Sequence, residues 1–266
     1  MRIDSKGSFS TNGFFKLKDQ NWLEKQRVAG KCVASCLNYL QKAVLDGTSL
    51  TASQLSQEAE KIMLDSGCTA TFKGYKGFPA AVCISVNKEL VHGIPKDIQF
   101  KSGDVISFDL GATYQGAIAD AALTCIYGEP ITPEHIKLVK ATEDALMKGI
   151  RAIAVGKKLG VIGFAIHKSA KGDGFASVNN YGGHGLDWDT PHAPPFVENK
   201  STPDEGIRIQ SGLAIAIEPM LVVGNTAETK TLSDGWTVVV KDIGAHFEHS
   251  VFVHEDRVEI LTDRNL

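Results

Sequence analysis

VISFDLGATYQGAIADAALT, residues 105–124, is the stretch on which the fold turns. Two runs rich in strand-forming residues flank Ala112-Thr113-Tyr114-Gln115-Gly116, which reads as a β-hairpin. With Tyr114-Gln115 as a two-residue loop, Asp109 faces Asp120 on one side of the hairpin. Their Cβ atoms then stand about 5 Å apart, and at an effective dielectric of about 20 the two charges repel by roughly 3 kcal/mol. Such a pair destabilises a hairpin unless a positive charge lies between its members, and a divalent cation is the simplest such charge.

Outward from the hairpin, the pattern alternates helices with strands. Toward the N-terminus, residues 19–46 carry Leu23, Val28, Val33, Cys36, Leu37, Leu40 and Val44 at helical spacing, with Gly47 as the stop. A second helix opens at Thr51 with Gln54 three residues on, a capping-box pattern, and ends at Gly67. A loop rich in glycine and aromatics (residues 72–79), a strand-like run (81–87) and His92-Gly93-Ile94-Pro95 lead into the hairpin. Toward the C-terminus, Thr132 caps a helix with Pro133 at its first position, running to about Ala154. A shorter helix spans roughly residues 159–169, and strand-like pieces surround His184, Glu218 and Glu248. Each half reads helix, helix, strands, the pattern of a duplicated α+β unit. Residues 1–17 read as a polar N-terminal arm, with Phe14 and Phe15 able to pin it, and residues 18–266 as a single domain.

Composition narrows the function classes. A chain of 266 residues, 43% hydrophobic and 22% charged, matches a soluble globular protein. Its net charge of −3 argues against a nucleic-acid or anionic-membrane partner. The five cysteines are odd in number and form no CxxC pair, so free buried thiols in a reducing compartment are expected. The first residues show no apolar signal region, and no run approaches a membrane span. A cytoplasmic location is expected.

Besides Asp109 and Asp120, three polar residues sit inside apolar strands: His184 in YGGHGL, Glu218 in LAIAIEPM and Glu248 in HFEHSV. A carboxylate in such a run is costly to bury unpaired. Salt bridges would satisfy it, but nearby basic residues are few, with Lys241 the nearest. Exposure at a strand end accounts for any one of them and poorly for all five together. A shared metal site accounts for the set best. Four carboxylates and one imidazole carry too much negative charge for one divalent ion, suit two, and favour Mn²⁺, Fe²⁺, Co²⁺ or Zn²⁺ over thiolate-loving metals. By alternation His249 points away from Glu248 and reads as structural; His135, His167 and His254 read as surface or helix-face residues. His246 shares parity with Glu248, and nothing else in the sequence recommends it.

VCISVNKELVHGIP, SFDLGATYQGAIAD, YGGHGL, LAIAIEPM, DGWTVVVKD and FEHSVFV together resemble the signature blocks of type I methionine aminopeptidases, from about Lys25 to the C-terminus. The resemblance implies the pita-bread fold, an α+β domain with internal pseudo-twofold symmetry, and removal of the initiator methionine from nascent proteins when the second residue is small. It implies that Asp109 chelates one metal, that Asp120 and Glu248 bridge both, and that His184 and Glu218 complete the second. Glu218 would shuttle the proton of an attacking water, His92 contact the scissile amide, and His192 stabilise the carbonyl oxygen. Tyr75, Phe78, Cys83 and Trp236, with His92 and His192, would line the methionine pocket. Nascent polypeptide N-termini at the ribosome are the implied partners, and a monomer the implied state. Only 33 residues separate His184 from Glu218, which leaves no room for the helical insertion of type II enzymes. An aminopeptidase P or prolidase activity on the same fold is the alternative, and a pita-bread binding protein without catalysis is another.

The chain departs from that family pattern in one loop. It reads GHGLDWDTPHAPP where GHGIGRxxHExP is usual: one residue longer, without the Arg, and with Ala193 in place of Glu. Pro191 stands where an aromatic is common, and Phe72 where bacterial enzymes often carry Cys. These departures bear on the position of His192 and on one pocket wall.

Overall fold

The protein is described here by a computed structural model covering residues 15–265. The expected N-terminal arm, with Phe14, lies outside the described residues as far as residue 14. Phe15 packs on the main core, and the Lys18 amide donates to the Gly212 carbonyl at 2.7 Å.

Four helices form where the periodicity places them. Helix α1, Gln20–Leu45, is N-capped by Asp19, whose carboxylate accepts from the Trp22 amide. Helix α2, Ala52–Asp65, carries the full Thr51–Gln54 capping box. Helix α3, Pro133–Arg151, has Thr132 as its cap, and α4 spans Val161–Asp173. The last helix starts two residues later and runs four residues further than expected, because Gly174, with φ of 84°, is the residue that ends it. Val28 is exposed, since a step of five from Leu23 carries it off the buried stripe.

Fifteen strands, all paired antiparallel, complete the described residues. The first half holds β1 (Thr69–Ala70), β2 (Cys83–Val86), β3 (Glu89–Val91), β4 (Val105–Tyr114) and β5 (Ala117–Ile126). The middle holds β6 (Ala176–Ser177), β7 (Gly183–Asp187), β8 (Thr190–Val197), β9 (Ala214–Ile217) and β10 (Met220–Val222). The last stretch holds β11 (Lys230–Thr231), β12 (Val238–Val239), β13 (Gly244–His246), β14 (Glu248–Val253) and β15 (Val258–Ile260). The main sheet runs β1-β4-β5-β14-β9-β7-β8, with β2 also on β4 and β15 on β14. Strand β14 is thus the seam between the N-terminal hairpin and the strands of the second half. Two three-stranded sheets, β13-β10-β6 and β11-β12-β3, flank it.

Alternation divides the main sheet into two faces. Ile106, Phe108, Leu110 and Ala112 of β4, with Ala119, Ala121 and Leu123 of β5, join the helices in the main core. Ile215 and Ile217 of β9 and Val251 of β14 point the same way. The opposite face carries Ser107, Asp109, Gly111, Asp120, Ala122 and Thr124, a mixture of small and polar side chains. One face therefore supplies the burial that stabilises the domain, and the other is left for chemistry. No helix among the described residues is long and apolar enough to cross a membrane.

Candidate metal centre

The hairpin forms, but one residue out of the expected register. Tyr114 pairs with Ala117, so the loop is Gln115-Gly116, with φ of 47° and 84°. Two positive φ values define the type I′ turn, and glycine is favoured at its second position. Asp109 accordingly faces Ala122, and Asp120 faces Gly111. The two carboxylates remain on one face as diagonal neighbours. Glu248 pairs with Ala122 from the other side. One row across the sheet therefore reads Cys83, Asp109, Ala122, Glu248. Ala122 is the small floor between two carboxylates. Asp120 is fixed by Ser250, whose Oγ accepts from the Asp120 amide and donates to its carbonyl, both at 2.8 Å.

His184 arrives on β7, where close backbone approach requires glycine on either side. A Cβ on Gly183 would lie 2.2 Å from the Ala216 carbonyl oxygen, and one on Gly185 would lie 2.0 Å from that of Pro194. The His184 Nδ1–H donates to the Gly185 carbonyl at 3.2 Å, which leaves Nε2 as a lone-pair donor aimed at the acids. Nε2 stands 3.7 Å from Glu218, 3.9 Å from Asp120 and 3.9 Å from Glu248. These separations are too long for hydrogen bonds and suit donors arranged around a shared ion. Glu218 follows β9, turned inward ahead of Pro219, and Asn199 Nδ2 holds its carbonyl at 2.9 Å.

The donor atoms of Asp109, Asp120 and Glu248 lie within 4.8 Å of one another, as do those of His184, Glu218 and Glu248, and those of Asp120, His184 and His192. All five expected ligands are buried. Among the described residues no lysine or arginine pairs with any of the four acids. Asp120 Oδ1 and Glu248 Oε1 are buried and, among the described residues, have no hydrogen-bond partner. Burial, reinforced by neighbouring carboxylates, raises Asp109 and Glu248 well above the usual carboxylate range and lifts Asp120 to about 8. Burial also drives the His184 imidazole down to about 4, so it brings no compensating charge. An oxygen-rich donor set with orphaned buried oxygens and no cation fits divalent metal ions.

A cavity of about 220 Å³ opens onto this cluster. Tyr75, Phe78, Cys83, His92, His192 and Trp236 all line it, as do Phe72, Lys76 and Tyr181. His92 adopts φ of 58°, a sparsely populated conformation for a non-glycine residue. Its ring meets those of Tyr181 and Trp236 at 6.0 and 6.4 Å. Burial lowers His92 to about 4 and depresses His192 further, so both rings are neutral hydrogen-bond donors. The Asp234 carboxylate accepts from the amides of Trp236 and Thr237, which holds the indole against Phe78 at 5.1 Å.

The unusual loop brings His192 to the wall of the same cavity. The His192 ring stands 4.6 Å from that of His184 and 5.4 Å from that of Tyr75. The extra length is absorbed by register shifts between β7 and β8. At the hairpin tip Asp187 accepts from the Lys18 ammonium at 2.5 Å, Trp188 meets Trp22 edge-on at 6.3 Å, and the Asp189 amide donates to Gly116.

The chain matches the metallopeptidase family M24 over residues 24–255. The chain belongs to that family. Among its relatives, a methionine aminopeptidase of Aquifex aeolicus is 42% identical over 259 residues, covering 93% of this chain and 98% of that protein. One from Mycoplasma capricolum is 37% identical over 92% of this chain and 97% of its own length. The crystal structure of a methionine aminopeptidase from Thermotoga maritima superposes with a TM-score of 0.89 at 36% identity, covering 94% of this chain and all of that one. A prolidase from Pyrococcus furiosus superposes at 0.73 with 19% identity and 65% of its length covered, a likeness of fold alone. This M24 chain thus has the pita-bread fold that the sequence blocks imply.

Two neighbours of the site escaped the sequence. Tyr181 lies three residues ahead of His184, and its aromatic character in a glycine-rich run was the available signal. His246 is the other. Its Nε2 stands 3.4 Å from Glu218 Oε2, and only its parity with Glu248 hinted at this. His254, expected to stand alone, pairs with Glu259 at 2.7 Å, whereas His249 points away from the site to Thr262, as alternation required.

Proposed function

We propose that the chain is a dinuclear metalloaminopeptidase that removes the initiator methionine from nascent polypeptides with a small second residue. The observation that carries this reading is the convergence of Asp109, Asp120, His184, Glu218 and Glu248 at the foot of an apolar cavity. Asp109, Asp120, His184, Glu218 and Glu248 would hold the ions; Glu248 lies within ligand distance of Asp109 and Asp120 on one side and of His184 and Glu218 on the other. When bound, divalent ions supply Lewis acidity that polarises a carbonyl and lowers the pKa of a water.

The chain's own groups do the rest. Glu218 takes the proton of the attacking water and returns it to the leaving amine. His192 donates a hydrogen bond to the carbonyl oxygen as negative charge develops there, and His92 contacts the scissile amide. Tyr75, Phe78, Cys83 and Trp236 enclose the flexible, polarisable methionine side chain. Residues 18–266 form the catalytic domain, which acts as a monomer in the cytoplasm on N-termini emerging from the ribosome.

Protein stripped of metal and reloaded with Mn²⁺ or Co²⁺ is expected to release methionine from Met-Ala-Ser, to act more slowly on Met-Leu-Ser, and to leave Ala-Pro peptides intact. Failure to cleave Met-Ala-Ser with both metals would falsify the activity, and faster cleavage of Ala-Pro would favour the prolidase alternative.

A further inference from the structure

His246 is a buried histidine that the mechanism above does not use. It is 1% exposed; among the described residues its Nδ1 has no hydrogen-bond partner, and its Nε2 faces only Glu218 Oε2, at 3.4 Å and outside ordinary hydrogen-bond geometry. A histidine kept only for packing would be replaced at a gain by an apolar residue, because an unsatisfied buried polar group costs stability. Its backbone, by contrast, is held from both sides. Thr124 Oγ1 donates to the His246 carbonyl at 2.7 Å and accepts from the His246 amide at 2.9 Å. The same oxygen takes a second hydrogen bond from Ser107 Oγ at 2.8 Å, which uses its single proton and both lone pairs.

This clasp aims the imidazole. His246 pairs with Met220 across β13 and β10, so Glu218 is its diagonal neighbour past the break at Pro219. At Phe247 the chain steps between β13 and β14, its amide donating to the Pro219 carbonyl at 3.3 Å. The two oxygens of Glu218 consequently face different partners. Oε1 looks toward His184 at 3.7 Å, and Oε2 toward His246 at 3.4 Å. We infer that His246 is a positioning residue that holds Oε2 of Glu218, so that Oε1 is presented to the metal centre in one orientation. The inference rests on Glu218 being a metal ligand, as proposed above. Loss of a partner that orients a ligand costs about 10–100-fold in metal affinity or activity.

The test compares His246→Gln, His246→Asn and His246→Leu with the wild type. Gln places an amide N–H close to where Nε2 stands; Asn, one methylene shorter, falls short of it; Leu has no donor. Calorimetric titration of the stripped proteins with Mn²⁺ is expected to show affinity lowered about 10–100-fold in the Leu and Asn variants and largely retained in the Gln variant. With Met-Ala-Ser, kcat should fall in parallel while KM stays near the wild-type value. Wild-type Mn²⁺ affinity and kcat in a folded Leu variant overturn the inference, as does a Gln variant as impaired as the Asn one. If the Leu protein does not fold, the Gln-against-Asn comparison decides. A wild type that binds Mn²⁺ but cleaves no Met-Ala-Ser refutes the proposed activity and leaves the titrations to decide on His246; a wild type that binds no Mn²⁺ refutes both.

Discussion

Two hairpins bring their donors to the same centre by different means. Strands β4 and β5 pair without interruption from Val105–Ile126 to Tyr114–Ala117. Every second residue faces the helices, and the register follows from that alternation. Strands β7 and β8 pair with two register shifts and include Pro191, Pro194 and Pro195. Alternation alone fixes little there. That hairpin is held from outside: its tip is gripped by Lys18 and Trp22, and it touches the β4–β5 tip through Gly116. A side chain placed by register is set chiefly by its own strand pair, with Ser250 of β14 adding to the hold on Asp120, whereas one placed on an irregular strand depends on distant contacts.

The largest expected effect treats both hairpins alike. Asp120→Ala and His184→Ala should each lower Mn²⁺ affinity and turnover by more than the about 100-fold that an outer-shell substitution costs. They should differ in the metal-free protein. Removing Asp120 relieves charge repulsion in a buried cluster, so its melting temperature should rise, while loss of His184 brings no such relief. Equal melting temperatures for the two variants would break the comparison.

A smaller effect separates the hairpins. Gly185→Ala forces a Cβ to within 2.0 Å of the Pro194 carbonyl, a backbone atom that cannot step aside. It should destabilise by about 3 kcal/mol, the upper range for overpacking. Gly116→Ala at the other tip meets only side-chain atoms, of Trp188 at 3.0 Å and of Asp189 at 3.4 Å, at φ of 84°, and should cost about 1 kcal/mol. Chemical denaturation gives both values, and a larger loss for Gly116→Ala would reverse the argument.

The smallest effect concerns the outside grip. Burial alone would raise the Asp187 carboxyl, but Lys18 and the Trp188 amide bring it below its usual value. A depressed carboxylate pKa contributes stability that is present above the unfolded value of about 3.9 and is lost as pH falls through the folded one. Asp187→Asn should therefore cost about 1 kcal/mol at pH 7 and less as the solution is acidified below pH of about 4. A pH-independent difference between variant and wild type would show that the Lys18 pair contributes nothing.

Much of this architecture was legible in the sequence because it is periodic or locally capped. The helices announced themselves through apolar spacing and through the caps at Thr51 and Thr132, and the five polar residues of the cluster through their place inside apolar strands. The turn was misplaced by one residue because Tyr114-Gln115 and Gln115-Gly116 differ only in where φ turns positive, and glycine at the second position decides it. The expectation that Asp109 and Asp120 face each other directly followed from that slip; in the true register they are diagonal. Tyr181 and His246 were missed for another reason. Their roles arise from contacts between elements far apart in the chain, which no local pattern encodes. His192 lay between these cases: its type was informative, but its position depended on how an irregular strand absorbed extra length.

The place of β14 has a consequence for how the molecule matures. It is among the last strands to be synthesised, yet it lies in the middle of the main sheet and brings Glu248 with it. Until that segment docks, β5 and β9 each present an open edge, and the cluster lacks the carboxylate that lies within ligand distance of donors from both halves. The five-residue cluster is therefore complete only once nearly the whole polypeptide has been made.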